Sequence, residues 1–173
     1  MHTDQIFYRD LESPVGKLIA GATGQGCCLL EFQDRGSLDK ITTQIQKRHN
    51  LEMTGNPKAV LDQLEFEVNQ YFKGLLKTFS VSLDMRGRPF QMAVWRQLLD
   101  IPYGETASYG QVARAVGKPQ AHRAVGRANG KNPVAIVVPC HRVIKSDGTL
   151  GGYDGGLWRK EYLLDLENRG ASQ

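Results

Sequence analysis

Apolar and polar residues follow two different periods along the chain. Near the start, apolar runs at residues 6–11, 18–22 and 27–32 are separated by the turn sequences SPVG and TGQG. Short apolar runs divided by turn residues predict an antiparallel β-meander. A later alternating segment, TFSVSLDM, predicts one more strand before the pattern breaks at RGRP.

Helical spacing dominates the rest of the chain. Leu38, Ile41 and Ile45 predict one helix, and a second apolar stripe follows Pro57 and ends at Gly74. Helical spacing resumes at residue 90 and stops at DIPYG. The predicted fold class is therefore α+β.

A domain boundary is predicted near Gly87, where the strand pattern has ended and the helical pattern begins. It divides the chain into an α/β supporting domain, residues 1–86, and a mostly helical domain, residues 87–173. Both parts are long enough to form a core of their own.

The segment SYGQVARAVGKPQAHRAVGRANG predicts two short helices joined by a tight turn. Ser108 and Gln111 form a capping box at the first helix. In the second helix the predicted inner face contains Ala121, Ala124, Val125 and Ala128, and the predicted outer face contains His122, Arg123, Gly126, Arg127 and Gly130. Small cationic surfaces suit the phosphate backbone and minor groove of DNA, which favours a DNA-binding helix-turn-helix. A plain helical hairpin in a core is the alternative.

Charge is unevenly distributed between the two halves. Residues 1–84 hold 9 Lys+Arg against 11 Asp+Glu, and residues 85–173 hold 13 against 7. No acidic residue occurs between Glu105 and Asp147. The cations in this window are Arg114, Lys118, Arg123, Arg127, Lys131, Arg142 and Lys145. They predict a phosphate-binding surface, with an ordinary solvated basic face as the alternative.

Cysteine usage and hydropathy indicate a cytoplasmic protein. Cys27 and Cys28 are neighbours that cannot readily bridge each other, so no disulfide framework is expected. The chain has no CxxC or HExxH motif, and the adjacent Cys140 and His141 are too close for two typical zinc ligands, so no metal site is expected. MHTDQIFYRD is no signal segment, and no apolar run reaches the length of a membrane span.

The apolar run at residues 134–138 predicts a buried strand that delivers Cys140 at its end. A lone cysteine is more often inert packing than a nucleophile. However, imidazole and guanidinium groups such as those of His141 and Arg142 lower the pKa of a nearby thiol and raise its thiolate fraction. Because adjacent strand residues point to opposite faces, His141 must act through a bend or a bridging water.

Downstream, SDGTLGGYDGG predicts a mobile loop over a ligand, with a simple hairpin turn as the alternative. Glu167 lies beside the apolar stripe of the last helix. Either it forms an ion pair with an arginine, or it orients His141 and completes a Cys, His, Glu arrangement. The residues of that helix predicted to face inward are Trp158, Tyr162, Leu163 and Leu166.

These segments together carry a resemblance to a known family. The chain resembles the O6-alkylguanine-DNA alkyltransferases, also called methylated-DNA–protein-cysteine methyltransferases, through FQMAVWRQLLDIPYGETASYGQVA, RAVGRANGKNP, IVVPCHRVI and GGYDGG. The likeness is close over residues 90–167. Residues 1–86 match only in the general layout of the family's variable, RNase H-like N-terminal domain.

The resemblance implies a self-alkylating DNA repair protein. Cys140 would take the alkyl group from O6 of a flipped-out guanine and keep it as a thioether, in one turnover per molecule and without a cofactor. His141 would deprotonate the thiol through a water, and Glu167 would hold His141. Asn132 would bridge the helix pair and the active-site segment. O4-alkylthymine is a second candidate substrate.

The partner implied is double-stranded DNA, bound at its minor groove by a monomer, with cooperativity left open. Tyr109 would rotate the nucleotide outward, and Arg123 would fill the vacated stack. The other residues expected at the DNA are Ala121, His122, Ala124, Gly126 and Arg127. The residues expected to line the base pocket are Tyr109, Val143, Tyr153, Asp154 and Gly155.

Three positions depart from the family pattern. The family usually has a small residue at His122, often one at Arg127, and a small or hydroxyl residue at Asp154. These changes concern DNA affinity and the tolerance for bulky alkyl groups. A cysteine hydrolase and a DNA damage sensor without chemistry are the competing functions. The coexistence of the thiol and the cationic small-residue helix favours alkyl transfer over both.

Overall fold

The computed structural model describes residues 6–35, 38–48 and 55–172. The chain divides into two compact units, Met1–Arg86 and Gly87–Gln173. The expected α+β class is confirmed by an antiparallel sheet in the first unit and a largely helical second unit. None of the helices within the described ranges is long and apolar enough to cross a membrane.

The first unit begins with the predicted meander. Strands β1 (Phe7–Leu11), β2 (Leu18–Ala22) and β3 (Cys27–Phe32) form an antiparallel sheet in the order β1-β2-β3. In the SPVG turn, Ser13 accepts a backbone hydrogen bond of 3.1 Å from Gly16. This turn brings Leu11 opposite Leu18, so that both leucines are buried.

Two helices follow the sheet, α1 (Leu38–Arg48) and α2 (Pro57–Phe72). Helix α2 begins where the Asn56 side chain caps the amide of Ala59 at 3.2 Å. It packs against the sheet through Leu61, Leu64, Val68 and Tyr71, all buried. In α1, Ile45 is buried as predicted, whereas the side chain of Leu38 lies outside what is described.

The predicted strand at TFSVSLDM is wrong. Its one pairing is a parallel bridge between Leu83 and Cys27. The buried carboxylate of Glu67 instead accepts hydrogen bonds from the amides of Ser80 at 3.0 Å and Val81 at 3.1 Å. A side chain thus satisfies the backbone donors that a partner strand would otherwise take.

The second unit consists of short elements around a small core. They are α3 (Pro89–Leu99), β4 (Ala107–Ser108), α4 (Tyr109–Ala115), α5 (His122–Gly130), a 3₁₀ turn (Cys140–Arg142), β5 (Val143–Ile144) and α6 (Leu157–Ala171). Helices α3, α4 and α5 pack together, and the buried Trp95 indole donates to the Ala128 carbonyl at 2.9 Å. Strands β4 and β5 form a parallel pair in which Ala107 lies opposite Val143.

The predicted helix pair is confirmed as α4 and α5. Ser108 accepts from the Gln111 amide at 3.1 Å, and the Gln111 side chain accepts from the Ser108 amide at 2.7 Å. This capping box starts α4, and Gly117, with a φ of 72°, follows its end.

Residues 134–138 do not form the predicted strand. They fold as successive turns, and Ile136 has a φ of 72°, which is rare for a β-branched residue. Asn132 holds this segment, because its side chain donates to the Val138 carbonyl at 2.8 Å and accepts from the Val134 amide at 3.0 Å. The apolar run is buried, but side-chain hydrogen bonds replace a strand ladder.

The prediction for the inner face of α6 is partly wrong. Trp158 is 53% exposed, whereas Arg159, Lys160, Leu163 and Glu167 are buried. Arg159 donates to the Gly155 carbonyl at 2.8 Å, and Lys160 donates to the Val143 carbonyl at 2.6 Å. The cationic side chains turn inward because backbone carbonyls satisfy their donors.

Candidate active site

Cys140 lies at the start of the 3₁₀ turn, directly after Pro139. Its amide donates to the Val138 carbonyl at 2.8 Å, and its own carbonyl accepts from the Asn129 side chain at 3.2 Å. The residue is almost fully buried. The turn supplies the bend that the sequence required, so Cys140 and His141 do not alternate across a strand.

His141 is paired with Glu167 in the interior. The imidazole Nε2 lies 2.7 Å from Oε1 of Glu167, and both side chains are fully buried. Burial lowers the pKa of His141; Glu167 opposes this effect, and the charges of Arg142 and Lys160 add to it. The imidazole is therefore neutral, with Nε2 donating to the carboxylate.

The second imidazole nitrogen is the one that can accept a proton. Within the described residues, Nδ1 of His141 has no hydrogen-bond partner although it is buried. When Nε2 carries the proton, Nδ1 carries the lone pair. The residue that precedes His141 in the chain is Cys140.

Glu167 binds more than His141. It accepts hydrogen bonds from Arg142 Nε at 2.8 Å and Nη2 at 3.0 Å, and from the Gly104 amide at 3.2 Å. Burial alone raises the pKa of Glu167, but its hydrogen bonds to His141 and Arg142 and the charge of Arg142 outweigh burial and lower the pKa to about 2. The two sequence alternatives for Glu167, an arginine ion pair and a histidine partner, occur together.

Two buried cations near the thiol were missed by sequence reasoning. Arg142 was assigned to the phosphate-binding surface, but it is buried against Glu167. Lys160 is fully buried, and burial lowers its pKa to about 8 while Cys140 opposes the shift. The available signal was spacing, because Lys160, Leu163 and Glu167 follow one another at i, i+3 and i+7 on one helix face.

Tyr109 lies between two glycines. A Cβ on Gly126 would be 3.7 Å from its ring, and a Cβ on Gly151 would be 3.1 Å from its hydroxyl. Burial raises the pKa of Tyr109, and the charges of Cys140 and Asp154 raise it further. The phenol is therefore half-buried within electrostatic range of both the thiol and the loop carboxylate.

The outer face of α5 presents cations beside a shallow groove. His122, Arg123 and Arg127 are exposed, whereas Ala121, Ala124, Gly126 and Gly130 are half-buried. The groove has a volume of about 580 Å³ and is lined by Arg123, Gly126, Arg127, Gly130, Lys131 and Asp154. The carboxylate of Asp154 lies 3.1 Å from where a Cβ on Gly130 would be.

The other predicted pocket residues lie on the segments around the thiol. Val143 is buried, and its carbonyl accepts from Lys160. Tyr153 is half-buried with its ring 6.0 Å from the Lys160 ammonium, and Gly155 is buried. Asn132 ties the end of the helix pair to the segment before Cys140, and Asn129 is a second, unpredicted link. No group of three metal-ligating side chains occurs among the residues that the structure describes.

Comparison with known proteins gives the family. Residues 89–169 match the DNA binding domain of 6-O-methylguanine DNA methyltransferase, and residues 6–85 match its ribonuclease-like domain. The methylated-DNA–protein-cysteine methyltransferase of Mycobacterium tuberculosis strain H37Rv is 46% identical over 162 residues, which is 94% of this chain and 92% of that protein.

Solved structures agree with the sequence match. The crystal structure of the M. tuberculosis O6-methylguanine methyltransferase has a TM-score of 0.81 at 43% identity, covering 95% of this chain and 94% of that one. The crystal structure of M. tuberculosis OGT in complex with DNA has a TM-score of 0.79 at 42% identity, covering 94% and 93%. The chain belongs to the methylated-DNA–protein-cysteine methyltransferase family.

Proposed function

We propose that this protein repairs DNA by moving the alkyl group of O6-alkylguanine onto its own Cys140. The observation that carries the proposal is the buried His141–Glu167 pair, 2.7 Å apart, in which His141 directly follows Cys140 in the chain. The relative named as a methylated-DNA–protein-cysteine methyltransferase and the DNA complex of the M. tuberculosis structure support the same activity.

The reaction begins with activation of the thiol. His141, neutral and hydrogen-bonded to Glu167 through Nε2, takes the Cys140 proton on Nδ1 through a water. Glu167 stabilises the imidazolium that forms. The carboxylate orients the ring and remains ionised, because its pKa is about 2.

The transfer step breaks one bond and forms another. The Cys140 thiolate attacks the alkyl carbon bonded to O6, the C–O electron pair returns to the guanine, and a C–S bond forms. The guanine takes up one proton as it leaves, which matches the proton that the Cys140 thiol lost. Because a thioether has no easy reverse reaction, each molecule reacts once and is a stoichiometric reagent.

Access to the lesion requires extrusion of the base from the duplex. An alkyl group on O6 is enclosed in the stack, and flipping costs a few kcal/mol. The exposed cations of α5 would contact the phosphates at the minor groove, and Arg123 would take the place of the flipped base. Tyr109 and the loop with Tyr153, Asp154 and Gly155 would then enclose the guanine.

The two units divide this work. Residues 87–173 would carry both DNA binding and chemistry, and residues 1–86 would support them. None of the three cysteines, all within the described residues, forms a disulfide, which supports a cytoplasmic location. We propose that one protein chain, acting as a monomer, binds the DNA and carries out the transfer.

Loss of the lesion per protein molecule tests the function. A duplex oligonucleotide with one O6-methylguanine is mixed in excess with the protein, and the remaining lesion is measured over time. Repair should stop at one lesion per protein chain. Continued repair beyond that ratio would point to a cysteine hydrolase, and tight binding of the duplex without repair would point to a damage sensor.

A further inference from the structure

Glu167 has a charged partner, Arg142, that makes more hydrogen bonds to it than the neutral His141 does. Arg142 binds it through two guanidinium nitrogens, Nε to Oε2 at 2.8 Å and Nη2 to Oε1 at 3.0 Å. Two parallel hydrogen bonds from one guanidinium are the strongest form of this ion pair. The carboxylate charge is therefore balanced by Arg142.

Arg142 is itself fixed by the surrounding structure. Its Nη1 donates to the Ile101 carbonyl at 2.6 Å, and its guanidinium lies 5.8 Å from the Tyr103 ring centroid. The side chain is 8% exposed. A guanidinium does not lose its proton in proteins, so this cation is present at every pH relevant to the reaction.

We propose that Arg142 is a positioning residue that keeps His141 neutral, so that Nδ1 can accept the Cys140 proton. The inference rests on the function proposed above and adds a residue to its mechanism. Arg142 acts through Glu167, the carboxylate to which both Arg142 and His141 are hydrogen-bonded.

Loss of Arg142 would favour the protonated, positively charged form of His141. Glu167 would then be a buried carboxylate without its permanent cation, which is strongly unfavourable. His141, already at 2.7 Å, is the neighbour that can take up a proton and restore the balance. An imidazolium has a proton on both nitrogens and cannot act as the base.

The charged groups around His141 shift its pKa in opposite directions. Glu167 on α6 favours the imidazolium, whereas Arg142 in the 3₁₀ turn and Lys160 on α6 oppose it. Tyr103 lies against Arg142 and is influenced by Glu167, and Cys140 precedes His141 in the chain. Removing Arg142 therefore leaves Lys160 as the remaining opposing cation and raises the pKa of His141.

The pH dependence of methyl transfer tests this role. Single-turnover rates with saturating O6-methylguanine duplex would be measured from about pH 6 to about pH 9, the range around histidine titration. Arg142→Gln should be about tenfold or more slower than wild type near the acid end and should approach it near the alkaline end, because one unit of pKa is a tenfold change in the base fraction. Arg142→Lys, which keeps the positive charge, should restore most of the rate at the acid end.

The matched control is Arg169→Gln. Arg169 is an exposed arginine on the same helix as Glu167, and it donates to the Asp165 carbonyl. Its variant loses the same charge and should keep the wild-type pH profile. A loss of rate in Arg142→Gln that is equal at every pH would overturn the proposal and leave Arg142 with a structural role.

Nitrogen NMR of the wild-type His141 ring covers the case in which Arg142→Gln does not fold. Near neutral pH the ring should be neutral with its proton on Nε2. A doubly protonated ring there would overturn the role of Arg142. If wild type transfers no methyl group, the proposed function fails instead, and the NMR result still reports the state of His141.

Discussion

The cysteines of the two units are all buried, but their surroundings differ. Cys27 and Cys28 lie on β3, and Cys28 packs with Leu29 and Ile45 in an apolar cluster. Burial raises the pKa of Cys27 to about 12 and raises that of Cys28 as well. Cys140 instead begins a turn next to His141, which is paired with Glu167.

Burial alone therefore does not make a cysteine reactive. In the first unit, desolvation disfavours the thiolate, and the Cys27 thiol donates to the Leu29 carbonyl at 3.4 Å. In the second unit, His141 follows Cys140 in the chain, and its buried Nδ1 has no hydrogen-bond partner among the described residues. The contrast places the proposed chemistry in residues 87–173.

The largest expected effect comes from removing the proposed nucleophile. Cys140→Ser should bind duplex DNA containing O6-methylguanine and transfer no methyl group, because a serine hydroxyl is far less nucleophilic than a thiolate. Intact-protein mass after incubation measures the transfer. The matched control is the double variant Cys27→Ala and Cys28→Ala, which should gain one methyl group; transfer to Cys140→Ser would remove Cys140 as the acceptor.

Each unit also contains a buried carboxylate, Glu67 in the first and Glu167 in the second. Only Glu167 is expected to support the proposed base, His141. Glu167→Gln should slow methyl transfer by about 1,000-fold, within the usual range for a general-base system, because the imidazolium loses its anionic partner. Glu67→Gln is the matched change in the first unit, where the carboxylate accepts backbone amides of residues 80 and 81. Its transfer rate should remain that of wild type, and an equal loss in both variants would contradict the assignment of the base to the second unit.

Acid stability is expected to depend on the same buried pair. The pKa of Glu167 is lowered from 4.5 to about 2, so its contribution is complete above pH 4.5 and is lost as the pH falls toward 2. The loss in the free energy of unfolding should be about 3 kcal/mol. His141, whose pKa is lowered by burial, adds a loss below pH 6.5 because the unfolded chain binds a proton that the folded chain does not.

Urea unfolding of the full chain at a series of pH values measures this dependence. Wild type should lose stability continuously as the pH falls below 6.5. Glu167→Gln should lose less between pH 4.5 and 2, because an amide does not titrate. A variant as acid-sensitive as wild type in that range would show that other carboxylates are responsible.

The smallest effect concerns Asp154, a charged residue at a position where the resemblance to the family predicts a small or hydroxyl residue. Its carboxylate lies beside Gly130 and raises the pKa of Tyr109. Asp154→Ser should therefore speed transfer of an anionic O6-carboxymethyl group about threefold and leave methyl transfer unchanged, since exposed charges interact weakly in water. Asp165→Ser, on the exposed side of α6, is the control; a similar gain there would assign the effect to net charge.

The helices and the meander were predictable because local patterns determine them. The capping box of Ser108 and Gln111 and the apolar spacing of α3 predict helices, and the structure contains both helices. The proposed nucleophile and base were identified from PCHRV and its resemblance to the family. Their roles stay predictions until the variants are measured.

The errors arose where distant side chains replace regular structure. Residues 134–138 have the composition of a strand, but the amide of Asn132 holds them as turns. Arg142 and Lys160 were missed as interior residues because amphipathic patterns assign cations to the surface. Only the folded chain brings Glu167 and backbone carbonyls close enough to satisfy them.

We propose that, of the three thiols, Cys140 alone accepts the alkyl group. Wild-type protein is reacted with duplex DNA carrying one O6-methylguanine, digested, and mapped by mass spectrometry. We expect a methyl group on the peptide that contains Cys140 and none on the peptide that contains Cys27 and Cys28. A methyl group on the latter peptide, or loss of the lesion without a methylated cysteine, would contradict it.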